Sequence, residues 1–198
     1  MIIVAVDETS FIEASKILDN LDPKKCMVKI GSISFNSIGK EIVYHAADKG
    51  FDIFLDLKLH DIPNTCVSTI KAIKDLKVNY LTIHISSGLE ALKAAKKVSG
   101  KIKLIGVTVL TSLDNKALRE IGFNKNVKKI VLHQAKLATK AKLDAIVCSA
   151  QEVKIVKRVF KKEIITPGIR LNSKRNDQKR VLTPNEAYKN GADWLVIG

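Results

Sequence analysis

The segment from residue 51 to residue 65 most constrains this chain, because an apolar run typical of a buried strand ends there in a cluster of charges. Side chains of an extended strand alternate between two faces, so Asp56 and Lys58 point one way and the neighbouring leucines point the other. Apolar residues on both faces indicate a strand that is buried on both sides. Charged groups are costly to bury there, and we therefore predict an active site at this strand end.

Asp56, Lys58 and Asp61 place two carboxylates around one ammonium group. Opposite charge nearby favours the charged form of a lysine, and a protonated lysine can deliver its proton to a developing carbanion. The carboxylates can position the lysine and can repel an anionic group of a substrate. The alternative interpretation is a solvated charge pair at a strand end, which is the role of most such pairs.

Composition is that of an ordinary globular protein, with 46% hydrophobic and 27% charged residues, and the 198 residues predict one domain over 1–198. No apolar stretch reaches the length of a membrane span, and the amino terminus enters a strand pattern without a basic leader. We therefore expect a cytoplasmic protein without a membrane partner. Cys26, Cys66 and Cys148 are odd in number and widely spaced, which predicts reduced structural thiols and neither disulfides nor a metal site.

The net charge of +14 raises the question of nucleic-acid binding. Basic residues recur along the whole chain on the polar faces of separate predicted helices, and such faces are usually solvated. Aromatic residues that could stack on bases make up only 5% of the sequence. We therefore expect no nucleic-acid partner. The segment 170–180 is densely basic and could instead hold a phosphorylated small molecule.

Short apolar runs alternate with amphipathic stretches along the chain, and this alternation predicts a parallel sheet covered by helices. Helices are expected over 10–18, 64–76, 88–98, 128–139, 151–159 and 184–190, with Ser10 and Asn64 as capping residues. Strands are expected over 2–6, 27–30, 53–59, 80–85, 104–110, 145–148, 164–169 and 194–197. About eight repeats without a linker favour an α/β fold of the closed (β/α)8 barrel type, a TIM barrel, over an open doubly wound sheet.

Polar residues stand at the ends of most predicted strands, which is the edge where barrel enzymes build their sites. Each of them alone has an ordinary explanation, such as a helix cap for Asp7 or a surface lysine for Lys29. Their convergence on one rim is what predicts a function. In addition to Asp56 and Lys58, these strand-end residues are Asp7, Lys29, His84, Thr111, Arg170 and Gly198.

A second group of residues is typical of a phosphate site, because loops after the seventh and eighth barrel strands commonly bind phosphate. Gly168 and Gly198 would let backbone amides approach an anion, while Arg170 and Gln178 can donate hydrogen bonds. An ordinary Pro-Gly turn followed by a basic loop remains the alternative. The chain has no GxGxxG or Walker-type loop, so a nucleotide cofactor is not expected.

On the basis of the strand-end charges and the predicted phosphate site, the chain resembles the bacterial orotidine 5′-phosphate decarboxylases from end to end. The decapeptide from Asp56 to Thr65 is the most specific part of the resemblance. The related keto-gulonate phosphate decarboxylases and hexulose phosphate synthases share an Asp-x-Lys-x-x-Asp core and use magnesium, but the core is not followed there by Ile-Pro-Asn-Thr. The other matching segments are 4–7, 28–31, 50–55, 107–112, 166–170 and 191–193.

The resemblance implies a carbon–carbon lyase that converts orotidine 5′-monophosphate to uridine 5′-monophosphate, the last step of pyrimidine synthesis, without a metal or an organic cofactor. It implies a homodimer in which Asp61 and Thr65 of one subunit complete the site of the other. The catalytic residues would be Lys58, Asp56, Asp61 and Lys29. Substrate contacts would come from these residues and from Asp7, Leu57, Leu59, His60, Ile62, Pro63, Asn64, Thr65, Thr111, Arg170, Gln178 and Gly198.

Two departures from the family pattern shape the expectations. The sequence stops at Gly198, where the family continues with a phosphate-binding arginine and a last helix, so we expect a barrel that lacks its final helix. Leu171 follows Arg170 where the family usually has proline, and the loop to Gln178 is slightly shorter. Two other classes stay open: a protein that binds nucleotides without turnover, and a basic nucleic-acid-binding module.

Overall fold

The computed structural model describes residues 1–169 and 183–198, and eight parallel strands form its centre. Each strand pairs with the next one along the chain, and the last pairs with the first, so the sheet closes into a barrel. This confirms the predicted (β/α)8 barrel and excludes the open doubly wound sheet. The strands are β1 Ile2–Val6, β2 Cys26–Gly31, β3 Ile53–Leu59, β4 Tyr80–His84, β5 Lys103–Val107, β6 Ala145–Val147, β7 Glu163–Thr166 and β8 Trp194–Ile197.

Helices of the described residues follow the strands and cover the outside of the barrel. None of these helices is both long and apolar enough to cross a membrane. The last described element is β8, followed only by Gly198. The helices are α1 Phe11–Asp19, α2 Ser32–Ile38, α3 Glu41–Asp48, α4 Pro63–Ala72, α5 Gly88–Val98, α6 Asn115–Glu120, α7 Val127–Lys140, α8 Val153–Lys157 and α9 Pro184–Lys189.

The helix boundaries correct two details of the sequence interpretation. Ser10 occupies the N-cap position of α1, but its side chain makes no capping hydrogen bond. Helix α4 begins at Pro63 with Ile62 as its N-cap residue, so Asn64 is not a cap. Proline suits the first helical position because the amide hydrogen that it lacks would have no partner within the helix.

Helices α2, α3 and α6 were not predicted. Helix α2 has the sequence SISFNSI, which contains none of the strong helix formers, so tertiary packing overrides a weak local preference. Helix α6 does carry a local signal, since the Asp114 side chain accepts hydrogen bonds from the amides of Lys116 and Ala117. Helix α3 carries a signal as well, since its buried residues Ile42, Val43 and Ala46 recur at helical spacing, so α3 and α6 could have been recognised from the sequence.

The apolar core has two parts, one on each side of the sheet. The larger part packs the outward side of the strands against the helices. The smaller part consists of strand residues only and fills the interior of the barrel, so the barrel is a packed core and not a pore. Its buried members are Ile3, Met27, Phe54, Tyr80, Ile105, Ala145 and Ile165.

A hydrogen-bonded network joins the amino-terminal ends of four strands around the Glu163 carboxylate at the start of β7. This carboxylate accepts hydrogen bonds from the Lys103 ammonium at 2.6 Å, the Tyr80 hydroxyl at 2.8 Å and the Trp194 indole at 3.2 Å. Burial raises the pKa of the Tyr80 hydroxyl, which keeps it protonated as a donor. The network closes the end of the barrel opposite to the carboxyl ends of the strands.

We expect the Glu163→Ala substitution to lower the free energy of unfolding by about 1–3 kcal/mol, because the buried Tyr80 and half-buried Trp194 donors lose their acceptor. Glu13→Ala is a matched control, since Glu13 pairs with Lys16 on an exposed helix face and its loss should cost less than about 0.5 kcal/mol. Chemical denaturation measures both values. Equal losses in the two variants would contradict a special role for the Glu163 network.

Candidate active site

A cavity of about 330 Å³ opens at the carboxyl ends of the strands. Six of the predicted strand-end residues line it, so these six meet on one rim although they lie far apart in the sequence. The remaining lining is mainly apolar and comes from Ala5, Phe54, Val107, Val109, Leu110, Val147, Cys148, Pro167, Gly168, Ile169 and Val196. The six predicted residues are Asp7, Lys29, Asp56, Lys58, Thr111 and Gly198.

Four of these side chains form a row of alternating charge, which we call the charged array: Asp7, Lys29, Asp56 and Lys58. The Lys29 ammonium lies 3.0 Å from Asp7 Oδ1 and 3.9 Å from Asp56 Oδ2. The Lys58 ammonium lies 2.8 Å from the same Asp56 Oδ2. Asp56 is therefore the carboxylate that links the two lysines. The prediction that Asp56 and Lys58 share one face of β3 is confirmed.

Burial makes the charged array different from a surface ion pair. Only 12% of the Lys29 side chain and 11% of the Asp56 side chain are exposed, whereas 40% of the Lys58 side chain is exposed towards the cavity. Removing charges from water is costly, and the attraction between them must offset that cost. The inner members of the array are thus fixed in place, and Lys58 is the member that a ligand could reach.

Gly31 at the end of β2 makes room for this arrangement. A Cβ atom on residue 31 would lie 2.9 Å from both Asp7 Oδ1 and Lys29 Nζ, closer than real Cβ atoms come to such atoms. Any larger residue would therefore push the Asp7–Lys29 pair apart. The sequence shows Gly31 next to Lys29, but only the geometry reveals why it is a glycine.

The segment after Lys58 lies outside the cavity of the single chain. Leu57 and Leu59 pack against the outer apolar core, and His60 and Asp61 are exposed. Asp61 Oδ1 accepts a hydrogen bond from the Ile62 amide at 2.7 Å. Within one chain, these residues therefore do not reach the charged array. The same holds for the rest of the decapeptide, Ile62, Pro63, Asn64 and Thr65.

The predicted phosphate site is described only in part. Pro167, Gly168 and Gly198 line the cavity, and Gly168 has a φ of 72°, a conformation that favours glycine. Arg170 and Gln178 lie outside the described residues. Their predicted contacts with phosphate stay a prediction.

The ends of β5 and β7 explain two errors in the strand boundaries. The sequence interpretation extended these strands to Leu110 and Ile169, but the strands end at Val107 and Thr166. Val109, Leu110 and Ile169 continue the apolar pattern because they line the cavity and not because they belong to the sheet. Cys148 also lines the cavity, which the sequence interpretation did not predict.

His84 lies beside the charged array but does not line the cavity. Its ring stands 5.0 Å from the ring of His60, measured between centroids. Burial lowers the pKa of His84 below the usual histidine value of 6.5, and the nearby charges of His60 and Lys58 act in the same direction, while Asp56 acts against them. His84 is thus a half-buried histidine held in its neutral form near pH 7.

Within residues 1–169 and 183–198, no group of three or more histidine, cysteine, aspartate or glutamate side chains is arranged to hold a metal ion. Cys26, Cys66 and Cys148 form no disulfide, and burial raises the pKa of the Cys66 thiol.

Comparison with known proteins places this geometry in context. The sequence model of the orotidine 5′-phosphate decarboxylase / HUMPS family matches residues 1–198. An orotidine 5′-phosphate decarboxylase of Pseudomonas fluorescens (strain SBW25) is 46% identical over 204 residues, which cover 100% of this chain and 88% of the relative. One of Wolbachia pipientis subsp. Culex pipiens (strain wPip) is 48% identical over 201 residues, which cover 100% and 89%.

A solved structure agrees with these sequence matches. The crystal structure of orotidine 5′-phosphate decarboxylase from Lactobacillus acidophilus superposes with a TM-score of 0.88 at 33% sequence identity, covering 100% of this chain and 89% of that one. The family resemblance drawn from the sequence motifs is therefore confirmed. The expected enzyme class, a carbon–carbon lyase, is that of the named relatives.

The lowered pKa of His84 predicts a pH dependence of stability. The unfolded chain binds a proton at His84 more readily than the folded chain does, so the stability contribution is complete above pH 6.5 and is lost as the pH falls through the lowered pKa. We expect His84→Asn to lose less stability than the unmutated protein between about pH 7.5 and about pH 5.5.

Denaturation at several pH values measures this difference. His133→Asn is the control because His133 is exposed, and it should follow the unmutated protein. If His84→Asn and His133→Asn show the same dependence on pH, burial of His84 is not the cause.

Proposed function

The chain belongs to the orotidine 5′-phosphate decarboxylase / HUMPS family, and from this premise we propose that it converts orotidine 5′-monophosphate to uridine 5′-monophosphate in pyrimidine biosynthesis. The observation that carries the proposal is the charged array, which ends in a partly exposed lysine at the mouth of an apolar cavity. We propose a cytoplasmic setting for this step. The HUMPS relatives share the family model, and the named orotidine 5′-phosphate decarboxylases at 46% and 48% identity favour this substrate.

The chemical difficulty of this reaction is a carbanion at C6 of the pyrimidine without an adjacent carbonyl to delocalise its charge. The bond between C6 and the carboxylate carbon breaks, CO₂ leaves, and the electron pair stays on C6. Lys58 provides a fixed positive charge for this pair and then transfers a proton from its ammonium group to C6. The neutral lysine regains its proton from water, and no metal takes part in these steps.

Asp56 and Lys29 hold Lys58 ready for this step. The Asp56 carboxylate fixes the Lys58 ammonium by the contact of 2.8 Å. Lys29 lies between the Asp7 and Asp56 carboxylates and balances the negative charge that Lys58 alone would leave. A preorganised array needs no rearrangement of solvent when charge develops at C6. We also propose that Asp7 and Lys29 contact the ribose hydroxyls and that Thr111 lies near the bound nucleotide.

The phosphate of the substrate would bind at the side of the cavity that follows β7 and β8. Gly168 and Gly198 line that side, and we propose that Arg170 and Gln178 donate hydrogen bonds to the phosphate. Binding energy from this remote group can then be used at the reacting carbon.

We propose a homodimer in which Asp61 and Thr65 of each subunit complete the site of the other. Two observations support a partner at this edge. Asp61 lies outside the cavity of its own chain, and the adjacent Ile62 is 66% exposed. Ile33 follows the neighbouring strand β2 and is 51% exposed, so the same end of the barrel presents a second large apolar side chain that a partner subunit could cover.

Decarboxylation is tested by following the ultraviolet absorbance of orotidine 5′-monophosphate in the presence of a metal chelator. We expect rapid conversion by the unmutated chain and a loss of at least about a thousandfold in kcat for Lys58→Ala, because both the positive charge and the transferred proton are removed. Uridine 5′-monophosphate should still bind to the Lys58→Ala variant.

Lys93→Ala is the control for a simple loss of positive charge, since Lys93 lies exposed on α5. Conversion that stops with the chelator and returns with magnesium would contradict the metal-free reaction. Binding of uridine 5′-monophosphate without any conversion by the unmutated chain would instead identify a nucleotide-binding protein without turnover.

The shared site is tested by mixing two inactive variants, Lys58→Ala and Asp61→Ala. A heterodimer would contain one site with both residues intact and one site with neither. Random exchange at equal concentrations should therefore restore roughly a quarter of the unmutated activity per subunit. Heterodimers that form but stay inactive would rule out the contribution of Asp61 across the interface, and high activity of Asp61→Ala alone would do the same.

A further inference from the structure

Strand β3 loses its regular pairing with β4 at the charged array. Leu55 lies opposite Leu81 and Leu59 lies opposite Ile83, so three residues of β3, 56–58, face the single residue Thr82 of β4. Such a bulge interrupts the ladder of backbone hydrogen bonds, so the amide groups within it need hydrogen-bond partners outside the ladder. The bulge contains both Asp56 and Lys58.

The Thr82 side chain occupies the gap that this bulge creates. Thr82 is fully buried, and it shares the inward face of β4 with Tyr80, two residues earlier. Its hydroxyl oxygen accepts a hydrogen bond from the Lys58 amide at 2.8 Å. The same hydroxyl lies 3.0 Å from Asp56 Oδ1 and must donate to it, because an ionised carboxylate only accepts.

The backbone of Lys58 has a strained conformation that these hydrogen bonds help to hold. Lys58 has a φ of 48°, in the left-handed region that residues other than glycine rarely adopt. A conformation of this kind costs about 1–3 kcal/mol and persists only where surrounding contacts impose it. The hydrogen bond from the Lys58 amide to Thr82 is such a contact, and it directs the lysine side chain back towards Asp56.

We propose that Thr82 is a positioning residue for the reaction: one buried hydroxyl holds the Lys58 backbone in its strained conformation and at the same time orients the Asp56 carboxylate. This inference rests on the proposed decarboxylase function. Thr82 does not line the cavity and acts only through Asp56 and Lys58. Its loss should therefore affect the chemical step more than the binding of nucleotide.

Thr82→Val and Thr82→Ser separate the hydroxyl from the shape of the side chain. Valine keeps the branched shape and removes the hydroxyl, which leaves the Lys58 amide and Asp56 Oδ1 without this partner. Serine keeps the hydroxyl and removes only the methyl group. We expect kcat to fall roughly ten- to a hundredfold in Thr82→Val and to stay within about threefold of the unmutated value in Thr82→Ser.

The Michaelis constant and the affinity for uridine 5′-monophosphate are measured on the same variants. We expect both to change less than about threefold in Thr82→Val, because Thr82 itself does not line the cavity. If Thr82→Val does not give folded protein, Thr82→Ala replaces it in the same comparison, and Thr82→Ser remains the hydroxyl-bearing control.

Three results would overturn the inference. The first is a kcat of the variant without a hydroxyl that stays within about threefold of the unmutated value. The second is a loss that appears equally in kcat and in nucleotide affinity, which indicates general distortion of the barrel. The third is a loss in Thr82→Ser as large as in Thr82→Val. Failure of the unmutated chain to convert orotidine 5′-monophosphate would instead reject the proposed function, so the two failures are distinguishable.

Discussion

The Asp56 carboxylate is the interaction on which the rest of the site depends. One of its oxygens faces the ammonium groups of Lys58 and Lys29, and the other accepts a hydrogen bond from Thr82. These partners come from β2, β3 and β4, three neighbouring strands of the barrel. The closed barrel therefore does more than support the site: the pairing of its strands determines which charges meet.

The free-energy cost of the charged array is offset by packing elsewhere in the molecule. Buried charges and a lysine with a positive φ reduce stability locally, and such strain is tolerated where the surrounding structure is firmly packed. The apolar residues inside the barrel, of which Phe54 also lines the cavity, and the Glu163 network at its far end provide that packing. Stability and chemistry thus lie at opposite ends of the same strands, a division that is common in barrel enzymes.

The sequence predicts the barrel and the charged array because both follow from short-range patterns. Strands β1, β3 and β8 were predicted to the residue, and their polar ends converge wherever parallel strands close. Thr82 and Gly31 were missed because alternation assumes regular pairing and a sequence pattern does not show a bulge or a close approach. Apolar residues that line the cavity, such as Leu110, were wrongly predicted to belong to strands. Residues in a buried strand and residues that line a cavity are both apolar, so the sequence does not distinguish them.

A double-mutant cycle on Asp56→Asn and Lys58→Ala tests the central claim, that Asp56 and Lys58 work as one unit. The quantity measured is kcat/KM for orotidine 5′-monophosphate, with Asp56→Asn and Lys93→Ala as a reference pair of distant residues. Residues that act as a unit give a double variant about as slow as the slower single variant, and this is the result that we predict. If the two losses multiply, as they should for the reference pair, Asp56 and Lys58 act independently and the account is wrong.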